Sequence, residues 1–200
     1  VKNMTRRAIK TSTYIMAPLM IGLAFCATPI VRLILTEKWL PCVPYLQIFC
    51  ITYMFWPIHT ANLNSINAMG RSDYFLKLEI AKKSIGMILL LSTMNFGVMI
   101  MAYSLLISTV TSMIINSWPN KELLGYSFKE QMIDIFPGIA LALLMGSIIS
   151  LIRLLELSDL VTLMLQIPLG ALIYIGLSAV FKIESFEYLW NIAKNVLKKK

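Results

Sequence analysis

Arg32, His59, Thr60, Asn64, Asn67 and Arg71 are the residues of this chain best suited to polar chemistry. A lone ionisable residue inside an apolar run is a functional candidate, because charge in hydrocarbon is costly unless it meets water, a partner or a ligand. His59 stands in such a run. At 100° per residue, Thr52, Trp56, His59, Thr60, Asn64 and Asn67 fall within an arc of about 140° on one helix. A stripe of that kind can line a water-filled cavity and hydrogen-bond hydroxyls or phosphate. The competing reading leaves His59 neutral and bonded to a neighbouring helix. Arg32 either snorkels to headgroups or attracts an anionic phosphate.

Other chemistry is missing. Cys26, Cys42 and Cys50 lack metal-ligand spacing and read as small apolar packing residues. No phosphate-binding glycine loop, nucleophile elbow or His and Cys metal set occurs. The expectation is therefore a non-enzyme without cofactor or metal. Ser104, Ser108, Thr111 and Ser112 share one helix face, where small hydroxyl residues allow close helix packing. Glu37 and Lys38, and then Arg153, Glu156 and Asp159, read as solvated pairs in short loops.

The elements that must position these residues follow from composition. Hydrophobic residues make up 58% of the 200 positions and charged residues 14%, against about 25% charged in soluble domains. Too few charges remain to coat a globule, and the runs are apolar throughout instead of alternating as barrel strands do. The fold class is all-α, a polytopic membrane helix bundle in contact with membrane lipid. The net charge of +8 does not point to nucleic acid, because Lys and Arg sit in short clusters between apolar runs, as cytoplasmic loops of membrane proteins do.

The uncharged stretch from Ser84 to Asn120 decides the topology. As one helix it would run roughly 50 Å, too long for one crossing of about 30 Å of hydrocarbon. If it crosses once, the Lys and Arg residues divide nine to nine between the two sides. If it turns near Asn95-Phe96-Gly97 and crosses twice, fifteen fall on the cytoplasmic side and only Arg32, Lys38 and Arg153 outside. The positive-inside rule selects two crossings. The expectation is then six transmembrane helices, at 14–35, 44–68, 74–95, 97–118, 133–152 and 160–181, with both termini cytoplasmic. Lys77, Lys82 and Lys83 ride on the first turns of the third span and reach back to headgroups. Asp134 stands at the entrance of the fifth, and residues 182–200 form a basic cytoplasmic tail. Its KNVLKKK run, after Tyr188 and Trp190, suits an interfacial segment attracted to anionic lipid. The opening VKNMTRRAIK reads as a loop between helices, so a piece of a longer chain is expected. Pro18, Pro137 and Pro168 fall in or near spans as candidate kinks.

The segment from Pro18 to Phe49, then Pro57 to Lys83, resembles the C-terminal half of polysaccharide flippases of the Wzx type, in the MOP superfamily. The resemblance rests on the Lys38-Trp39 turn, on Leu46-Gln47-Ile48, and on Ala68-Met69-Gly70-Arg71-Ser72-Asp73 before Leu76-Lys77. The last 80 residues add little beyond hydropathy. Thr36-Glu37 departs from the glycine that many members carry before the turn. The resemblance implies one of two bundles around a central cavity, in a bacterial inner (cytoplasmic) membrane. It implies lipid-linked oligosaccharide as cargo and the missing N-terminal helices of the same transporter as partner. Arg32, His59 and Arg71 become candidates for attracting a pyrophosphate. A multidrug or cation antiporter of the same superfamily is an alternative, though no acidic residue falls in mid-span. A structural or accessory subunit of glycan assembly is another.

Overall fold

The computed structural model describes residues 1–198; Lys199 and Lys200 of the basic tail lie outside the described residues. The described residues are helical, without strands: α1 Lys2–Phe25, α2 Ala27–Leu35, α3 Val43–Met54, α4 Trp56–Ala68, α5 Ser72–Thr93, α6 Val98–Leu124, α7 Phe128–Ser150, α8 Asp159–Val180 and α9 Glu184–Lys198. Four helical stretches are long and apolar enough to cross a membrane: α1, α6, α7 with its following turn to Leu155, and α8. The other two expected spans are built differently. α5 has 22 residues but carries Asp73, Lys77, Glu79, Lys82 and Lys83. α3 and α4 have 12 and 13 residues, each too short to span alone.

The break between α3 and α4 has a local cause. Pro57 has no N–H to give the carbonyl of Tyr53, so the ladder stops and the amide of Ile58 bonds Phe55 instead (3.1 Å). A second break at Cys26 divides α1 from α2 within the first expected span. The N-terminal run read as a loop is instead the start of α1. Thr5, Ile9 and Thr13 recur every four residues and are buried, so tertiary packing draws the basic segment into the helix.

The hairpin expected near Asn95-Phe96-Gly97 is present. α5 ends in a 3-10 turn, Met94–Phe96, and Gly97 takes φ 99°, a region open to glycine. Thr93 and Ser104 hydroxyls lie 3.3 Å apart, and Gly86 faces Ser108 further from the turn. Ser104 and Ser108 of α6 thus line its seam with α5. α4 and α6 run parallel, since His59 pairs with Asn116 and Ser65 with Asn120. α5 must therefore carry the chain to the far end and α6 bring it back.

α1 is the central helix, packed mainly on α7 and also on α3, α4 and α9. α5 and α6 lie to one side of it, and α8 packs on α7 and α2 and reaches α1. One core cluster joins Tyr14, Ala17, Ile21, Met54, Leu141, Ala142, Met145 and Tyr174. Another joins Ile9, Ile58, Met113, Tyr126 and Ile135. Large apolar residues such as Ile88, Phe96, Ile107, Phe136, Leu144 and Leu172 are exposed around the bundle. That coat suits lipid tails as solvent.

Candidate functional site

Two polar clusters form at one end of the bundle. The first is a buried amide network between α4, α6 and α7. Asn62 and Ser65 stand one turn apart on α4, and Asn116 and Asn120 one turn apart on α6. Gln131 opens α7, whose start is fixed by a capping box in which Ser127 and Glu130 exchange backbone bonds. Asn62 Nδ2 donates to Gln131 Oε1 (2.8 Å) and Gln131 Nε2 donates back to Asn62 Oδ1 (3.1 Å). Asn120 Nδ2 donates to the same Oδ1 (2.7 Å), and Ser65 Oγ donates to Asn120 Oδ1 (2.9 Å). Asn62, Asn116, Asn120 and Gln131 are wholly buried. Gly125, left-handed at φ 58°, ends α6 and sets the short turn into α7.

The second cluster is ionic. Arg6 and Lys10, one turn apart on α1, converge on Asp134 of α7. The guanidinium donates to both carboxylate oxygens (2.6 and 2.7 Å), and the Lys10 ammonium lies 3.6 Å away. The Tyr126 hydroxyl donates to the same carboxylate (2.9 Å). Lys10 also binds Glu184 of α9 at 2.5 Å. A cavity of about 180 Å³ lies beside this cluster, bounded by Lys10, Tyr14, Asp134, Gly138, Lys182 and Glu184. Burial and the neighbouring carboxylate push the Tyr126 phenol well above its ordinary range.

The six candidate residues do not share one cavity. His59 is half-buried, and its Nδ1 lies 3.2 Å from the Nδ2 of Asn116 on the neighbouring α6. Asn116 Oδ1 is buried without a partner. Thr60, Asn64 and Asn67 are exposed on the outer face of α4, and Thr60 bonds back to Trp56 O (3.3 Å). Thr52 leaves the stripe, because it is buried on α3, beyond the Pro57 break. Arg71 lies at the same end of α4 in a local pair: it donates to both oxygens of Asp73 (3.0 and 3.1 Å) and covers the Tyr74 ring (4.5 Å). The Arg71 guanidinium holds the Asp73 carboxyl below its usual range.

Arg32 is at the other end of the bundle. It pairs with Asp159 (3.2 Å) and Glu37 (3.7 Å), so Asp159 is no solvated loop residue but one side of a contact between α2 and α8. The far end of α8 approaches the Lys10 cluster, about 30 Å of helix away. Lys82 also differs from expectation. Only 13% of its side chain is exposed, and it pairs with Glu79 one turn earlier instead of snorkelling. Among the described residues, no three His, Cys, Asp or Glu side chains are grouped to hold a metal.

Residues 1–44, covering α1, α2, the following turn Glu37–Cys42 and the first residues of α3, match the family described as polysaccharide biosynthesis protein. An uncharacterized membrane protein of Methanocaldococcus jannaschii is 26% identical over 170 residues, which is 83% of this chain and 32% of the relative. The chain is a helical membrane protein. It spans about a third of the length of that curated relative. No solved structure matches it. The family match supports a place in polysaccharide biosynthesis and falls on the helix at the centre of the bundle.

Proposed function

We propose that this chain is one helix bundle of a transporter that flips lipid-linked oligosaccharide across the bacterial cytoplasmic membrane by alternating access. The observation that carries the reading is the polysaccharide-biosynthesis match on α1 and α2, in a chain whose exterior is apolar. The protein works by binding and conformational change, with no covalent step and no cofactor. In this reading the chain crosses six times, α3 and α4 acting as one broken span and α5 as another. Both termini are cytoplasmic. Support comes from the meeting at one end of α1 near Lys10, α7 near Asp134, and the turn into α9 near Glu184. The ends of α4 and α6 meet there too.

The missing N-terminal helices form the second bundle, and the outward polar face of α4, with Thr60, Asn64 and Asn67, is offered to the cavity between them. Reconstitution tests both parts of the reading. The protein from the whole reading frame should move a fluorescent lipid-linked oligosaccharide between leaflets of proteoliposomes, and the 200-residue chain should not. Translocation by the short chain overturns the half-bundle assignment. Inactivity of the long protein overturns the flippase assignment.

A further inference from the structure

Arg6, Arg7 and Lys10 lie close together on α1, yet they meet different surroundings. Arg6 and Lys10 face α7 and are held by Asp134 and Glu184. Arg7 projects around the helix, and no carboxylate among the described residues pairs with it. Its guanidinium lies over the ring of Tyr188 on α9, 4.9 Å from the centroid. Stacking holds the charge by its face and leaves the in-plane N–H groups for an acceptor. Asn3 and Thr11, one turn to either side, share that face of α1. With Met4, Ala8 and Tyr188 they line an open groove of about 450 Å³ between the first and last helices.

The neighbourhood identifies the occupant. α9 is fastened by the Lys10–Glu184 pair and by Phe186 and Leu189, which pack on the central core. It leaves Trp190 60% exposed and Ile192 43% exposed at the two edges of the packed face, with Glu187, Asn191 and Lys194 exposed on the side turned away from Leu189. An amphipathic helix with an exposed Trp lies at headgroup level. Arg7 stands about 10 Å along the helix before Tyr14, where the first apolar span begins. Met4, 78% exposed at the groove, offers apolar contact that an inorganic ion cannot use.

We propose that the α1–α9 groove binds the phosphate of an anionic phospholipid, with Arg7 as the phosphate-binding side chain and Asn3 and Thr11 as flanking hydrogen-bond donors. The site stands apart from the transport reading and does not depend on it.

Native mass spectrometry of the 200-residue chain in neutral detergent tests the site. Phosphatidylglycerol and phosphatidylcholine with the same acyl chains are supplied as competing probes. Wild type should retain phosphatidylglycerol about fivefold over phosphatidylcholine. Arg7→Gln should bring the ratio close to one, and Tyr188→Leu should lower it by freeing the guanidinium from its ring. Lys194→Gln, on the polar side of α9, should leave it unchanged. Millimolar inorganic phosphate should not displace the lipid. Wild-type selectivity in Arg7→Gln or in Tyr188→Leu overturns the site. Displacement by inorganic phosphate at the lipid's own concentration overturns the lipid as its occupant.

Discussion

The Tyr174 hydroxyl on α8 donates to the backbone carbonyl of Tyr14 on α1 at 2.9 Å. That carbonyl would normally receive the amide of residue 18, but Pro18 has none. The ring of Tyr14 completes the join: its hydroxyl donates to Ser178 at 2.6 Å, and the two tyrosine rings lie 5.0 Å apart. Pro18 thus frees an acceptor in the core, and a side chain from another helix satisfies it. Tyr174→Phe should lower stability by about 1 kcal/mol, read as a fall in the melting midpoint in detergent. Pro18→Ala restores the helical donor, so in that background the cost of Tyr174→Phe should shrink. Equal costs in both backgrounds would show that the proline does not create the demand.

Gly138, Ala142 and Gly146 recur every four residues on α7 and are buried in its contact with α1. A Cβ at Gly146 would stand 2.5 Å from the Phe25 ring and 2.9 Å from Ile21. This is the small-residue seam that lets membrane helices approach closely when lipid supplies no hydrophobic drive between them. Gly146→Leu should cost about 1–3 kcal/mol through overpacking and reduce the monodisperse fraction on gel filtration. Gly176→Ala, where nothing lies within 4 Å, should be neutral or slightly stabilising.

The helical class, the long apolar stretches and the Met94–Gly97 hairpin were legible in the sequence because hydropathy and charge placement are summed over many residues; the breaks at Cys26 and before Pro57 were not. What escaped depends on partners. Asn62 stands among other polar residues, Thr60, Asn64 and Ser65, and Gln131 follows Lys129 and Glu130, so nothing local singles them out or says that they pair across 69 positions. The spacing of Asn62 with Ser65, and of Asn116 with Asn120, is the one hint, visible only once α4 and α6 are known to run parallel. Helical spacing puts Thr60, Asn64 and Asn67 in one stripe with His59, but packing against α6 turns His59 inward and leaves the others out. The early start of α1 was hidden for the same reason, since Arg6 and Lys10 are compensated by Asp134 far along the chain.

The amide network carries a prediction about coupling. Asn62→Leu removes the shared partner of Gln131 and Asn120 and leaves two buried amides short of bonds, at a cost of about 1–3 kcal/mol each. Replacing Asn62, Asn120 and Gln131 together by apolar residues of similar size should be less damaging than the sum of the single changes. Unfolding of the single and triple variants in mixed micelles measures this. Additive losses would mean that the three side chains act separately.

Tyr126 gives a pH dependence with a definite sign. Its phenol is buried and donates to Asp134, so its folded pKa lies above the unfolded value of about 10. The folded state keeps the proton longer. This contribution is therefore complete below pH about 10 and is lost as pH rises through the folded value. Melts from pH 8 upward should show a steeper alkaline loss of stability in wild type than in Tyr126→Phe, which has no phenolic proton to lose. Parallel curves would remove Tyr126 from the account.

The crossing number has a direct measurement. In six crossings Lys121, near the end of α6, lies on the cytoplasmic side, and Asn95, in the turn before α6, lies outside. Cys26 and Cys50 are buried and Cys42 is partly exposed, so a background with all three replaced by Ala comes first. Lys121→Cys should then resist a membrane-impermeant maleimide in intact cells and react in inverted vesicles. Asn95→Cys should do the reverse. Labelling of Lys121→Cys from outside would place α6 the other way up and would also undo the fifteen-to-three distribution of Lys and Arg on which the orientation rests.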